Sequence, residues 1–279
     1  MNDVADAILA LRDFLDRYPR LFVLTGAGCS TDSGIPDYRD DAGQWKRKPP
    51  VRHQEFVGSA HVRARYWARS MIGWTYMGTA QPNAAHRALV DLEREGRIEL
   101  LVTQNVDRLH QKAGSQAVID LHGRIDQVVC LGCGARSERG HLQQRLIAIN
   151  PTYAGLGAGI APDGDADLER IDFSDFTVPD CEACGAGVLK PDVVFFGANV
   201  PSDRVTKAMI ALDAADALLI VGSSLMVWSG YRFAARAAER GQAIAAINRG
   251  RTRADPLLSA KVEADCAEAL TRLARERMV

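Results

Sequence analysis

Residues 21–34, LFVLTGAGCSTDSG, decide the fold. LFVLT is a short apolar run that stops at a glycine-rich turn, the pattern of a strand buried on both faces. The turn Gly26-Ala27-Gly28 lets the backbone come close to a pyrophosphate, and Ser30, Thr31 and Ser33 add hydroxyl donors. A full dinucleotide fingerprint sets a third glycine at position 31, where this chain has threonine. On its own, then, the loop also reads as a tight strand-to-helix turn with no ligand.

Outward from this stretch, Ile98–Thr103, 193–196, Ala217–Val221 and Ala243–Ile247 read as further buried strands. Val4, Ile8, Leu11 and Leu15 recur at helical steps, and 86–95 and 232–240 carry helical patterns. The segment 264–275 closes the chain with Ala269, Leu270 and Leu273 on one stripe. Strands alternating with helices predict an α/β fold, a Rossmann-like parallel sheet covered on both faces. Two stretches break the rhythm. Residues 36–78 cluster Arg, Trp and Tyr without a clear strand, and 123–190 hold four of the six cysteines. Both read as insertions. The expected large lobe spans roughly 1–35, 79–122 and 191–279. The expected small lobe joins a helical part (36–78) to a zinc module (123–190), with a ligand site between the lobes.

The composition is that of a folded chain: 47% hydrophobic and 25% charged residues exclude wholesale disorder. A net charge of −1 argues against nucleic-acid binding. No apolar run approaches the roughly 18 residues that span a bilayer. The acidic opening segment lacks the features of a leader. The expected address is a reducing cytoplasm, where paired cysteines point to metal before disulfides.

CLGC at 130–133 and CEAC at 181–184 are such pairs, each followed by glycine. Two CxxC hooks supply four thiolates, Cys130, Cys133, Cys181 and Cys184, the ligand set of a structural zinc site with no open position for catalysis. The span between the hooks exceeds a simple ribbon. Cys29 and Cys266 are left over and read as small buried hydrophobes.

TQNVDRLH, 103–110, follows the second strong strand, where a parallel sheet places ligands. Gln104, Asn105 and Asp107 suit ribose hydroxyls and a carboxamide, although Asn105 or Asp107 taken singly also fits a helix cap. In DLHG, 120–123, His122 is a candidate general base, with a structural histidine as the plain alternative. Asp163, Asp165 and Asp167 mimic a calcium loop, but Leu168 and Ser174 occupy its required Gly and Glu positions. Lys46, Arg47, Lys48 and Arg52 read as a solvated basic face.

Taken in order, GAGCSTDSGIPDYR (26–39), TQNVDRLHQKAGS (103–115), LHG (121–123), the two CxxC pairs, KPDVVFFG (190–197), GSSL (222–225) and IN (247–248) resemble the sirtuins, the NAD-dependent protein deacylases. The resemblance spans about residue 20 to about 270. GSSLMVWSGYRF (222–233) and the insert with APDGD (161–165) look most like class II members. The resemblance implies a single catalytic domain with a Rossmann-type lobe and a zinc-plus-helical lobe. NAD and an acyl-lysine peptide would enter the cleft from opposite sides. The family's chemistry would expel nicotinamide as the acyl oxygen attacks the ribose. His122 would then deprotonate ribose hydroxyls, and free lysine and O-acyl-ADP-ribose would be released. NAD is consumed as a co-substrate.

Carried onto this chain, the resemblance implies that Gly26, Ala27, Gly28 and Ser30 lie at the nucleotide. Asp37, Tyr38 and Arg39 belong to the cofactor-binding loop. Gln104 binds ribose, while Asn105 and Asp107 order the nicotinamide pocket, with Asn105 counted as catalytic beside His122. Gly222, Ser223 and Ser224 face phosphate and adenosine, Asn248 the adenine ribose, and the Cys266 backbone the adenine. Val193, Phe195 and Gly197 pair with the peptide as an added strand. Many relatives carry an acidic residue after FG, where this chain has Ala198. Tyr66 and Arg69 in the helical insertion match a Tyr-x-x-Arg pair that holds acidic acyl groups, and they equally fit a surface helix with an aromatic stripe.

These features predict a monomeric deacylase, with acetyl-lysine not the best substrate and no nucleic-acid or membrane partner. Protein mono-ADP-ribosyl transfer and a non-catalytic zinc-ribbon or ADP-ribose-reading adaptor are the alternatives. The incomplete glycine fingerprint and the closed thiolate set disfavour a dehydrogenase.

Overall fold

The computed structural model describes residues 2–156 and 171–276. The calcium-like aspartates and most of the insert around APDGD fall outside the described residues. The strands are β1 (Leu21–Thr25), β2 (Ile98–Thr103), β3 (Val118–Asp120), β4 (Gly123–Cys130), β5 (Arg136–Glu138), β6 (Leu189–Val193), β7 (Ala217–Val221), β8 (Ala243–Ile247) and β9 (Ala260–Val262). The α-helices are α1 (Asn2–Arg17), α2 (His53–Gly58), α3 (Ala60–Met77), α4 (Ala84–Arg94), α5 (Leu109–Ala113), α6 (Arg139–Ile149), α7 (Ser202–Ala214), α8 (Trp228–Glu239) and α9 (Cys266–Glu276).

Six strands form one parallel sheet in the order β3-β2-β1-β7-β8-β9. The run LFVLT shows why this sheet needs two covers. Leu21 and Val23 point into a core shared with Ile8, Leu11 and Leu15 of α1, Leu89 of α4 and Leu270 of α9. Phe22 and Leu24 point the other way, into a core with Leu212 of α7 and Phe233 of α8. Alternation along a strand thus feeds both layers, so both sets of positions are apolar. The chain winds outward from β1 through β2 and β3, then returns to the opposite side of β1 at β7. The carboxyl ends of β1 and β7 therefore form the switch point of a doubly wound sheet.

A second sheet, β5-β4-β6, is antiparallel. It packs with α3 and α6 around Phe56, Trp67, Met71, Val128, Leu142, Leu146 and Phe195. The two stretches that break the α/β rhythm therefore share one hydrophobic core. Trp67 is fully buried and donates its Nε1–H to the Leu189 carbonyl at 3.1 Å.

The four strands at β1, β2, β7 and β8 stand where the sequence predicts them. The run 193–196 does not: the strand is Leu189–Val193, it contains Lys190 and Pro191, and it pairs with β4 instead of joining the parallel sheet. The apolar residues beyond it are explained by burial elsewhere, since Phe195 packs into the small-sheet core.

Candidate active site

A cavity of about 360 Å³ opens at the switch point. Its floor is the turn after β1, where Gly26, Ala27, Gly28 and Ser30 line it beside Gly222, Ser223 and Ser224 from the turn after β7. The two turns touch backbone to backbone: Gly28 N–H donates to the Gly222 carbonyl at 2.8 Å, and Gly222 sits at a φ of 63°. A Cβ on Gly222 would stand 2.2 Å from the Cys29 nitrogen, and one on Gly26 would stand 2.7 Å from the Ser223 Cβ. Glycine is required here for close packing of the two loops. Asn248 and Cys266, after β8 and at the start of α9, line the same cavity. Burial pushes the Cys266 thiol up to about 12, so it stays protonated.

The turn after β2 reaches in from the side. Asn105 donates through Nδ2 to the Gly26 carbonyl at 2.9 Å and to Ser30 Oγ at 3.0 Å, and the Ser30 hydroxyl donates to Asp107 at 2.7 Å. Asp107 also accepts the Leu109 N–H at 2.9 Å, so it holds the start of α5 as well as facing the site. Burial raises its carboxyl above the usual range, opposed by these two donors. Gln104 Nε2 donates to Ser223 Oγ at 2.7 Å. One network therefore joins the three loops that the sequence marks separately.

His122, after β3, lies at the middle of this wall. Its Nδ1 stands 2.9 Å from the Gln104 carbonyl and its Nε2 2.8 Å from Ser229 Oγ. A carbonyl only accepts, so Nδ1 carries the proton and the Nε2 lone pair accepts the Ser229 hydroxyl. The ring is half-buried and faces the cavity, and desolvation by the surrounding protein pushes its imidazolium down to about 4. The neutral base is thus its resting form. Ser229 is a site residue that the sequence reading missed. Its signal was faint, a hydroxyl in the first turn of α8 just after GSSL.

The opposite wall is Val193, Phe195, Gly197 and Ala198, with Asp37, Tyr38 and Arg39 closing the mouth. The Arg39 guanidinium stacks over Trp45 at 4.0 Å and donates to the Gly43 carbonyl. Past β6 the main chain is partly engaged: the His122 carbonyl accepts Val194 N–H at 2.7 Å, and the Phe196 carbonyl accepts His53 N–H at 2.9 Å. Lys46, which the sequence reading placed on a solvated face, is exposed but also lines the cavity mouth, paired with Asp37 at 2.5 Å. Of the Tyr66–Arg69 pair, Tyr66 lines the cavity and packs on Phe195, whereas Arg69 is not among the described residues that line it.

The four hook cysteines converge away from this cavity. Cys130 and Cys184 sulfurs stand 3.8 Å apart, as do those of Cys133 and Cys181, and all four lie within 4.8 Å of one another. Sulfurs about 2.3 Å from a central zinc stand about 3.8 Å apart in a tetrahedron, so the set fits one structural zinc ion. A Cβ on Gly187 would meet Cys130 Sγ at 2.0 Å, so the hook needs glycine there.

A cavity at the switch point of a doubly wound sheet, walled on one side by a second sheet with its own thiolate cluster, is the layout of a Rossmann-type nucleotide-binding protein with an inserted lobe. A family model described as the Sir2 family matches residues 26–229, and the chain belongs to that family. It is 61% identical over 273 residues to a Bordetella bronchiseptica protein named NAD-dependent protein deacetylase, covering 98% of this chain and 99% of that one. A Xanthomonas campestris protein of the same name is 62% identical over 264 residues, covering 95% and 90%. A solved structure described as "Sir2-p53 peptide-NAD+" superposes with a TM-score of 0.76 at 29% identity, covering 95% of this chain and 96% of that one. Another, "Sir2 bound to acetylated peptide", gives 0.75 at 28%, with the same coverage.

Proposed function

We propose that the chain is an NAD-dependent protein-lysine deacylase that releases nicotinamide and O-acyl-ADP-ribose. The observation that carries this reading is the convergence of the two glycine turns, the Gln104–Asn105–Asp107 network and a neutral His122 on one cavity. Bound NAD supplies the ADP-ribose that takes the acyl group; the rest falls to the chain. Gly26, Ala27, Gly28, Gly222, Ser223 and Ser224 bind its phosphates, with Asn248 and the Cys266 backbone toward adenosine. Asn105 and Asp107, tied by Ser30, orient the nicotinamide end, and Gln104 holds the ribose. His122 takes a proton from a ribose hydroxyl at Nε2 once the Ser229 hydroxyl turns away. Asp37, Tyr38 and Arg39 exclude water at the mouth.

Val193, Phe195 and Gly197 line the acyl-lysine peptide's path, with the acyl chain toward Tyr66, Met77 and Ile125. These residues are apolar or aromatic, which supports an apolar acyl group over a carboxylate-bearing one. The division into lobes at roughly 36–78 and 123–190 is supported by their shared core. No helix of the described residues is long and apolar enough to cross a membrane. A cytoplasmic monomer acting on protein lysines, without nucleic-acid contact, completes the reading. The class II assignment rests on the GSSLMVWSGYRF stretch. Mass analysis of products from NAD and an acyl-lysine peptide tests the activity: O-acyl-ADP-ribose is expected, and ADP-ribose attached to protein would favour transfer instead.

A further inference from the structure

A second cluster of metal-competent side chains lies behind the glycine-rich turn, outside the cavity. Cys29, His86 and His110 are 1%, 0% and 1% exposed, and one donor atom of each lies within 4.8 Å of the other two. Cys29 ends the turn after β1, His86 sits in the first turn of α4, and His110 is in α5. None of the three lines the cavity.

The surrounding hydrogen bonds bear on the ring tautomers. The Thr25 hydroxyl donates to Thr103 Oγ1 at 2.8 Å, so its oxygen receives the Nε2–H of His110 at 2.9 Å. The proton of His110 is then on Nε2, and Nδ1 is a bare lone pair with no hydrogen-bond partner. Asn83 Nδ2 donates to the Cys29 carbonyl at 2.9 Å, which turns Asn83 Oδ1 toward His86 Nδ1 at 3.0 Å. The backbone N–H of Asn83 lies farther from that nitrogen, at 3.3 Å. His86 Nδ1 either accepts that N–H or donates to Oδ1; in the donating form its Nε2 is a second bare lone pair, and in both forms Nε2 has no hydrogen-bond partner. In the form where His86 donates from Nδ1, two lone pairs and one thiol meet in a buried pocket. A single thiol proton satisfies at most one of the lone pairs, and a buried polar atom left unpaired is costly. Thr25 and Asn83 act on the rings as outer partners act on metal-ligating histidines.

We propose that Cys29 Sγ, His86 Nε2 and His110 Nδ1 form a second metal site, separate from the four-cysteine site, that takes monovalent copper. One thiolate with two imidazoles is a soft ligand set. Three donors suit a trigonal ion, whereas structural zinc takes four, and the described residues add no fourth His, Cys, Asp or Glu to the cluster. Charge points the same way. Cu⁺ with one thiolate is neutral, while a dication would leave a net positive charge buried. Binding releases the Cys29 thiol proton to solvent and moves no electron. The ion would tie the glycine turn to α4 and α5, stiffening the floor of the nucleotide cavity from behind.

The test is anaerobic titration of the zinc-loaded protein with Cu(I) against a chromogenic Cu(I) chelator. Copper and zinc are counted in the same samples, and copper-edge X-ray absorption is recorded on the wild type. One copper per chain, retained with the zinc still bound and showing one sulfur and two nitrogens, is expected. Cys29→Ala and His86→Gln, each checked for full zinc content, should hold copper at least tenfold more weakly. Copper bound only as zinc leaves, an all-sulfur copper spectrum, no retention by the wild type, or undiminished retention in both variants would overturn the site. The wild-type spectrum decides the matter even where a variant fails to fold.

Discussion

The Nε2 atom of His122 stands 2.8 Å from the hydroxyl of Ser229, while Nδ1 is fixed by the Gln104 carbonyl on the other side of the ring. Burial is the largest cause of a value near 4, with the charges of Arg204 and Arg232 adding to it, and a hydroxyl that donates to Nε2 also favours the neutral ring. Protonation of the free base should therefore cut kcat/KM only on the acid side, well below the usual histidine value of about 6.5. Ser229→Ala removes the donor to the neutral form. It should move the acid limb to higher pH while changing kcat/KM at pH 8 by less than about tenfold, the worth of one hydrogen bond. Superimposable pH–rate profiles would separate Ser229 from the base.

The zinc hook makes a steric prediction. Gly187→Ala places a Cβ 2.0 Å from Cys130 Sγ, a ligand atom that cannot give way without leaving the tetrahedron. Metal analysis should find one zinc per wild-type chain and well under one in the variant, with the small-sheet region losing amide protection because metal binding energy is folding energy there. Full zinc content in Gly187→Ala would contradict the packing described.

Gly222 joins the two glycine turns after β1 and β7. Gly222→Ala forces alanine to a φ of 63° and its Cβ to 2.2 Å from the Cys29 nitrogen. The left-handed conformation alone costs about 1–2 kcal/mol, and the clash adds to it. Denaturant unfolding should show at least that loss, and calorimetric titration should show weaker NAD binding. Wild-type values in both would contradict a tight loop contact.

Acyl preference follows from which side chains reach the cavity. Tyr66 does, with Met77, Ile125, Val193 and Phe195, and Arg69 is not among the described lining residues. On one peptide, each added methylene that is buried should raise kcat/KM by about fourfold, from about 0.8 kcal/mol per methylene, until the channel is full. Arg69→Met should not single out acyl groups ending in a carboxylate. A selective loss of about 1.5–3 kcal/mol for those substrates would restore Arg69 as their anchor. A panel won outright by acetyl-lysine would remove the chain-length preference.

Local pattern carried much of the fold. The runs at Leu21–Thr25, Ala217–Val221 and Ala243–Ile247 are buried on both faces, so each is a continuous apolar segment with turn residues at its end, and Ile98–Thr103 becomes one after the exposed Glu99. β9 is too short to show a pattern, and β6 holds Lys190 and Pro191 and hides its strand character, while Phe195 beyond it is apolar for a different burial. The glycine turns and CxxC hooks were legible because close approach and thiolate ligation each demand one residue type. Ser229 was not, since any serine in the first turn of a helix looks like it. The Cys29–His86–His110 cluster was not either. Its members are separated by more than fifty residues on one side, and each alone reads as a buried core residue.

The most direct test uses one reaction and two proteins: wild type and His122→Ala, each incubated with NAD and an acyl-lysine peptide, with the NAD products identified by mass. The wild type should yield nicotinamide and O-acyl-ADP-ribose in equal amounts with free peptide lysine. His122→Ala, with zinc content and NAD binding retained, should fall by about 10²–10⁴ in turnover, the range for loss of a general base. Near-normal O-acyl-ADP-ribose from the variant, or its absence from the wild type, would contradict a deacylase built around His122.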